Sequence, residues 1–279
     1  LFYGKSGTGK TSTANSIIKI LYGKMKTLMV MKLDASDDRG INSVREEIKG
    51  FAKKKAILNR GVKLIILDEA DSMTFDAQFA LRRIIEEHSR VTRFCIICNY
   101  HSKIIDPIIS RCSLFRFKPI DDKLIIKKLK YIANEEKMSY SNKNLKKIVK
   151  LCRGDLRKAI NFLQRCHNTF GDKINNVLLD EISGIINKND LDLFFKYCQN
   201  NDSESIDELI LKFYKNGYSL VNQIQTLHER ILKSKFYNSK KKSKIINMLA
   251  EIDQNLIKGC DEYIQFMKFS YFLLFLNSN

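Results

Sequence analysis

Gly4, Gly9, Lys10 and Thr11 stand in the spacing G-x-x-x-x-G-K-[ST], inside "GKSGTGKTS". The apolar run Leu1-Phe2-Tyr3 precedes them and a helical pattern follows. Strand, glycine turn and helix in that order form a cradle for phosphates. Gly4, Gly7 and Gly9 let the backbone N–H groups of the loop, Thr8 and Ser12 included, curl around phosphate oxygens, and a helix starting near Lys10 adds its positive end. Lys10 is placed to reach the outer phosphates and Thr11 to hold Mg²⁺. A nucleoside triphosphate is the expected ligand; a glycine turn that binds nothing is the competing reading. The strand "LIILDEAD" then ends in Asp68 and Glu69. A carboxylate at a strand end beside a phosphate loop suits Mg²⁺ held through water, which gives Asp68 the metal. Glu69 becomes the general base that polarises an attacking water. A further strand, "RFCIICNY", ends in Asn99, which either orients that water without adding charge or merely starts a turn. Cys95 and Cys98 make a C-x-x-C, but three residues apart on a strand they face opposite ways, so zinc is not expected. Arg111 in "SRCS" and Arg157 in "GDLRKAINFL" are either surface charges or groups aimed at a transferring phosphoryl group.

The elements that must position these groups follow from periodicity. "TLMVMKLDA", "KLIILDEA", "RFCIICNY" and "SLFRFKPI" read as strands, three of them with the few polar breaks of a parallel sheet buried on both faces. "TSTANSIIKILYG", "NSVREEIKGFAKKKAI" and "DAQFALRRIIEEH" read as the helices between them. The alternation predicts an open α/β fold over residues 1–120, broken at Pro119. From Asp121 the pattern is helical throughout: a small unit over 121–175, then an all-α stretch over 176–279. The lysine run at 240–242 reads as a cap or link of solvated helices, with a polyanion site as the minor alternative.

The 279 residues, 44% hydrophobic, suffice for two or three domains with real cores. No apolar run approaches the ~20 residues of a membrane helix, "FSYFLLFL" being too short. Seven cysteines without framework spacing argue for a reducing compartment. Lys+Arg outnumber Asp+Glu by 49 to 31, a net +18 that invites a polyanion partner. The abundance of Lys, Asn, Ile, Phe and Tyr with only two prolines also fits an AT-rich coding bias, so the charge supports DNA binding only weakly.

"GTGKTS", "LDASDDRGINSVREEIKGFA", "LIILDEADSMTFDAQFALRRIIE", "TRFCIICNY", "IISRCSLFRFKP" and "GDLRKAINFLQ" occur in this order over the first ~170 residues. In these blocks the sequence resembles an AAA+ ATPase, and more narrowly the small subunits of replication factor C, the sliding-clamp loader. "IIDPIISRCSLFRFKP" is most similar to the branch numbered four in some schemes and two in others. The resemblance implies an AAA+ P-loop domain, a helical lid and an all-α collar in a five-membered ring, working with ATP and Mg²⁺ in the nucleus. It gives Lys10 and Thr11 the phosphates and metal, Asp68 and Glu69 the metal and the catalysis, and Asn99 the sensor role. It gives Arg157 to the lid sensor and Arg111 to an arginine finger acting on the neighbouring subunit's ATP. Family members carry a helical lead-in before the first strand, so the chain reads as an N-terminally incomplete fragment. Lys5-Ser6 replaces two prolines usual in the family, which should loosen the empty loop.

Arg39, Arg45 and Lys49 in "DDRGINSVREEIK" either meet DNA phosphates, reading no base code, or form a solvated face held by Glu46 and Glu47. Arg82 invites the same reading, though the resemblance makes Gln78 and Arg82 a relay between Glu69 and DNA. Ala56-Ile57-Leu58 either docks on a clamp or packs under the sheet. The implied partners are the other subunits, a PCNA-like clamp and primed double-stranded DNA, with no membrane. The expected function is clamp opening and loading at primer junctions; the alternative is a scaffold that hydrolyses little and donates Arg111.

Overall fold

In the computed structural model the described residues are 1–35, 46–51, 61–171, 179 and 182–278. Five strands form one sheet: β1 (Phe2–Tyr3), β2 (Val30–Asp34), β3 (Lys63–Asp68), β4 (Thr92–Cys98) and β5 (Phe115–Arg116). Their order is β2-β3-β4-β1-β5 and every pairing is parallel. The near-continuous apolar run of β3 follows from this, because a parallel strand buries both faces. Ile65 and Leu67 join one core cluster with Leu33, Ile96 and Leu81, whereas Ile66 joins Ala14, Ile18 and Ile97 on the other face. Cys98 packs in the first cluster and Cys95 against the second, so the two thiols do face opposite ways. Burial pushes both thiols up to about 11, which keeps them protonated.

The register sets Tyr3 beside Cys98 and Asp34 beside Asp68. The carboxyl ends of β1, β3 and β4 therefore finish side by side, where open parallel sheets bind ligands.

Two expected strands are shorter than read. The first three residues of the "TLMVMKLDA" run belong to the helix Lys26–Met29, and β2 begins at Val30, whose amide donates to the Lys26 carbonyl. Met29 is buried as the last residue of that turn, and a short apolar run cannot be told from a buried helix turn by periodicity. In "SLFRFKPI" only Phe115 and Arg116 pair as a strand. The "DAQFALRRIIEEH" helix spans Phe75–His88 and is capped by the Thr74 hydroxyl, which accepts from the Ala77 amide. The long "NSVREEIKGFAKKKAI" pattern contributes helix over 46–51, with Ile48 buried; its remaining residues lie outside the described part.

Helices Asp122–Glu135, Asn142–Cys152 and Leu156–Phe170 follow the sheet, packed through Leu129, Leu145, Ile148 and Ala159. The Ser141 hydroxyl and Asp155 carboxylate cap the second and third. Sheet and lid helices make one compact unit, Leu1–Asp172; Lys173–Asn279 makes another. In the second unit, helices Lys188–Asn200, Ser203–Lys215, Leu220–Lys233, Ser239–Ile257 and Glu262–Ser278 enclose Phe194, Phe213, Leu227, Phe269 and Leu273. The lysine run lies in the first turn of Ser239–Ile257. Lys241 Nζ donates to the Leu276 carbonyl at 2.7 Å and Lys242 Nζ to the Leu232 carbonyl at 2.9 Å, near the C-terminal ends of two other helices. Cations there satisfy orphan carbonyls and oppose the negative helix end, so Lys241 and Lys242 are caps. Among the described residues no helix is long and apolar enough to cross a membrane.

Candidate functional site

A cleft of about 310 Å³ opens at the carboxyl ends of β1, β3 and β4. Ser6, Gly7, Thr8, Gly9, Lys10, Thr11 and Ser12 line one side, Asp68, Glu69 and Asn99 another, and Leu156, Arg157 and Asn161 of the lid a third. Gly4 passes beneath rather than lining it: its φ of 144° lies in the region glycine favours, and a Cβ there would strike the Phe117 carbonyl. Gly7, at φ 68°, is pressed against the Asp155 carboxylate, where a Cβ would overlap it. The Leu156 amide also donates to the Gly7 carbonyl at 3.2 Å, which ties the lid helix to the loop.

Lys10 opens the helix Lys10–Tyr22 and is only 8% exposed. Its ammonium donates to the Gly4 carbonyl at 2.7 Å, the Lys5 carbonyl at 2.9 Å and Asn99 Oδ1 at 2.9 Å. All three donors thus meet neutral oxygens. Burial lowers its pKa from the ordinary value, and Asp68 works against that shift. The Thr11 hydroxyl donates to Asp68 Oδ2 at 2.7 Å, and Asp68 Oδ1 accepts from the Glu69 amide at 3.0 Å. Hydroxyl and carboxylate together offer hard oxygens that suit a small divalent cation. Glu69 is exposed at the cleft in a left-handed conformation, φ 53°, unusual for a residue with a side chain.

Sequence reasoning missed Asp71. Its Oδ2 accepts from the amides of Asn99 and Tyr100, each at 3.2 Å, and so fixes the turn that carries the Asn99 side chain. The signal was present, because Asp71 is the last acid of "DEAD". Gln78 is 2% exposed and bridges two segments. Its Nε2 donates to the Met73 carbonyl at 3.2 Å and the Lys103 carbonyl at 2.9 Å, while its Oε1 accepts from the Ile105 amide at 2.9 Å.

The remaining predicted residues that are described fall outside the cleft. Arg111 is not among its lining residues; it pairs with Glu86 at 2.6 Å. Arg82 also pairs with Glu86, at 2.9 Å. Lys49 is half-buried on the 46–51 helix. Arg39, Arg45 and the Ala56-Ile57-Leu58 tip lie outside the described residues.

Three family models match in sequence order. The AAA family, "ATPase family associated with various cellular activities", matches residues 1–120. The "RCF1/5-like, AAA+ ATPase lid domain" matches 127–166, and the "Replication factor C C-terminal domain" matches 186–271. Replication factor C subunit 4 of Homo sapiens is 41% identical over 274 residues, covering 95% of this chain and 75% of the relative. The chain belongs to the replication factor C small-subunit family. Replication factor C subunit 2 of Schizosaccharomyces pombe is 40% identical, covering 96% of this chain and 81% of the relative. Small subunit 1 of Pyrobaculum islandicum is 39% identical, covering 100% and 83%. Among solved structures, the RuvB Holliday junction branch migration motor of Thermotoga maritima superposes with a TM-score of 0.51 at 17% identity, covering 70% of this chain and 66% of its own. Domain III of the replication initiation protein DnaA from the same organism gives 0.50 at 17%, covering 64% and 80%. Those two likenesses are of fold. This replication factor C chain is accordingly an AAA+ ATPase, of a nucleotide-binding family, and a clamp-loader subunit of DNA replication.

Proposed function

We propose that the cleft binds ATP with Mg²⁺ and that its hydrolysis drives opening and loading of a PCNA-like clamp at primer junctions. The observation that carries this reading is the convergence of Lys10, Thr11, Asp68, Glu69 and Asn99, from three strand ends, on one cleft. Lys10 would exchange the Gly4 and Lys5 carbonyls for phosphate oxygens, a gain of charge for its ammonium. The loop amides from Gly7 to Ser12 would hold the remaining oxygens. Thr11 and Asp68 would hold Mg²⁺, which when bound neutralises phosphate charge. Glu69 takes the proton of the attacking water, and Asn99, held by Asp71 and Lys10, orients that water. Arg157, exposed at the lid side of the cleft, would meet the phosphates.

Arg111 lies away from its own cleft, which suits a finger that serves the nucleotide of an adjoining subunit. We divide the chain into a nucleotide-binding domain over 1–120, a lid over 121–175 and a collar over 176–279, assembled in a five-membered ring. Arg39, Arg45, Lys49 and Arg82 are the DNA-phosphate contacts or their relay, and the nucleus is the site of action.

The experiment is ATP turnover by the assembled complex with clamp and primed DNA, wild type against Glu69→Gln. A loss of this subunit's share with clamp opening retained supports a working motor. Unchanged turnover and loading would leave the chain an arginine donor and scaffold.

A further inference from the structure

One carboxylate oxygen receives two arginines. Glu86 Oε1 accepts from Arg82 Nε at 2.9 Å, one turn back on the same helix, and lies 2.6 Å from Arg111 Nη2. The second arginine comes from a different part of the chain, after the short helix Asp106–Ile109. Arg111 Nη1 also donates to the Pro107 carbonyl at 2.7 Å. The guanidinium is thus held on one side by its own turn and on the other by Glu86.

The three side chains are 37 to 39% exposed, and ion pairs at that exposure add little to stability. What the arrangement supplies is direction. Gln78, near the start of the helix Phe75–His88, grips the approach to Arg111 through Lys103 and Ile105. Glu86, two turns further along, grips the arginine itself. Two grips about 12 Å apart on one rigid helix fix an orientation that a single grip would leave free to swing. Only the short turn Ala70–Ser72 and the two residues after it separate that helix from Asp68 and Glu69 at the end of β3. The hydrogen bond from Arg82, with Arg111 beside it, also holds the Glu86 carboxyl below its ordinary range, so it stays ionised.

The geometry points to Glu86 as a positioning residue for Arg111: its carboxylate, steadied by Arg82, aims the guanidinium outward at the neighbouring subunit's nucleotide. This rests on the reading of Arg111 as a finger acting in trans. Arg82 gains a role in the same step, because it sets the rotamer of the carboxylate that Arg111 uses.

The test is steady-state ATP turnover of the assembled complex with clamp and primed DNA, comparing wild type with Arg111→Ala, Glu86→Ala, Glu86→Gln and the double Glu86→Ala/Arg111→Ala. The Arg111→Ala loss defines the share of turnover that depends on the finger. Glu86→Ala is expected to cut kcat for that share about tenfold with KM for ATP unchanged, the effect of a misplaced catalytic group. Glu86→Gln, which keeps an oxygen at the same reach, should restore part of it, and the double variant should match Arg111→Ala. No effect of Arg111→Ala overturns the finger reading and the inference with it. A clear Arg111→Ala loss with wild-type turnover in Glu86→Ala overturns the inference alone. Faster turnover in Glu86→Ala, a change in KM only, or a double variant slower than Arg111→Ala would each overturn it as well.

Discussion

Lys10 Nζ and Asn99 Oδ1 lie 2.9 Å apart, so the lysine of the glycine turn and the amide at the end of β4 form one hydrogen-bonded unit. Asp71 secures the far end of that unit through the Asn99 and Tyr100 amides. Asp71→Ala would leave both amides without their acceptor. We expect a loss of about 1–3 kcal/mol in unfolding free energy. Turnover should fall with it, because Asn99, which we propose orients the attacking water, loses its anchor. Denaturant unfolding and ATP turnover of the same preparation check the two parts together.

Nucleotide affinity should depend on pH through Lys10. Its pKa in the free protein is lowered by burial, and a bound polyphosphate favours the charged form and raises it again. Binding therefore takes up a proton between the free and bound values. Affinity should be constant below the lowered pKa and decline as pH rises through the window. Calorimetric titration over an alkaline pH series, in buffers of differing ionisation enthalpy, reads both the decline and the proton uptake. In Lys10→Met the decline should vanish along with most of the affinity.

Glu69→Gln should separate binding from chemistry. The amide keeps the shape but cannot accept a proton, so the chemical step should slow by about 10²- to 10⁴-fold. ATP affinity should stay within about threefold, since Lys10, Thr11 and Asp68 are untouched; single-turnover hydrolysis and equilibrium binding measure the two.

Gln78→Ala should cost more than its exposed neighbours on the same helix. It would orphan the Ile105 amide and the Lys103 carbonyl in a buried setting, at about 1–3 kcal/mol. The exposed Phe79→Ala serves as the comparison and should change stability by less than about 0.5 kcal/mol. Thermal unfolding of both variants decides it.

The parts of the site that sequence revealed are those whose residues sit in contiguous motifs at strand ends. The glycine turn, Asp68-Glu69 and Asn99 each close an apolar run, and a parallel sheet brings such ends together whatever fills the space between. Asp71 was legible in principle, but its partners are amides at positions 99 and 100, which no local pattern announces. The Glu86–Arg111 pair was not legible: it joins two elements through tertiary packing, and each residue taken singly looks like a surface charge. The lysine run at 240–242 reads in sequence as a cap or link of helices; Lys241 and Lys242 do cap, but the carbonyls they cap, Leu276 and Leu232, lie on other helices. The start of β2 was misread because Met29 is as apolar as the strand it precedes.

The left-handed backbone at Glu69 carries its own consequence. A side chain in that region strains the chain by about 1–2 kcal/mol relative to glycine. The fold thus accepts a permanent debit at one residue to hold the carboxylate that we propose as the general base. A glycine at that position would give a calmer, more heat-resistant and inert protein, so robustness and activity pull in opposite directions at Glu69. Screens of this subunit that select for stability alone should drift toward glycine there and discard the motor.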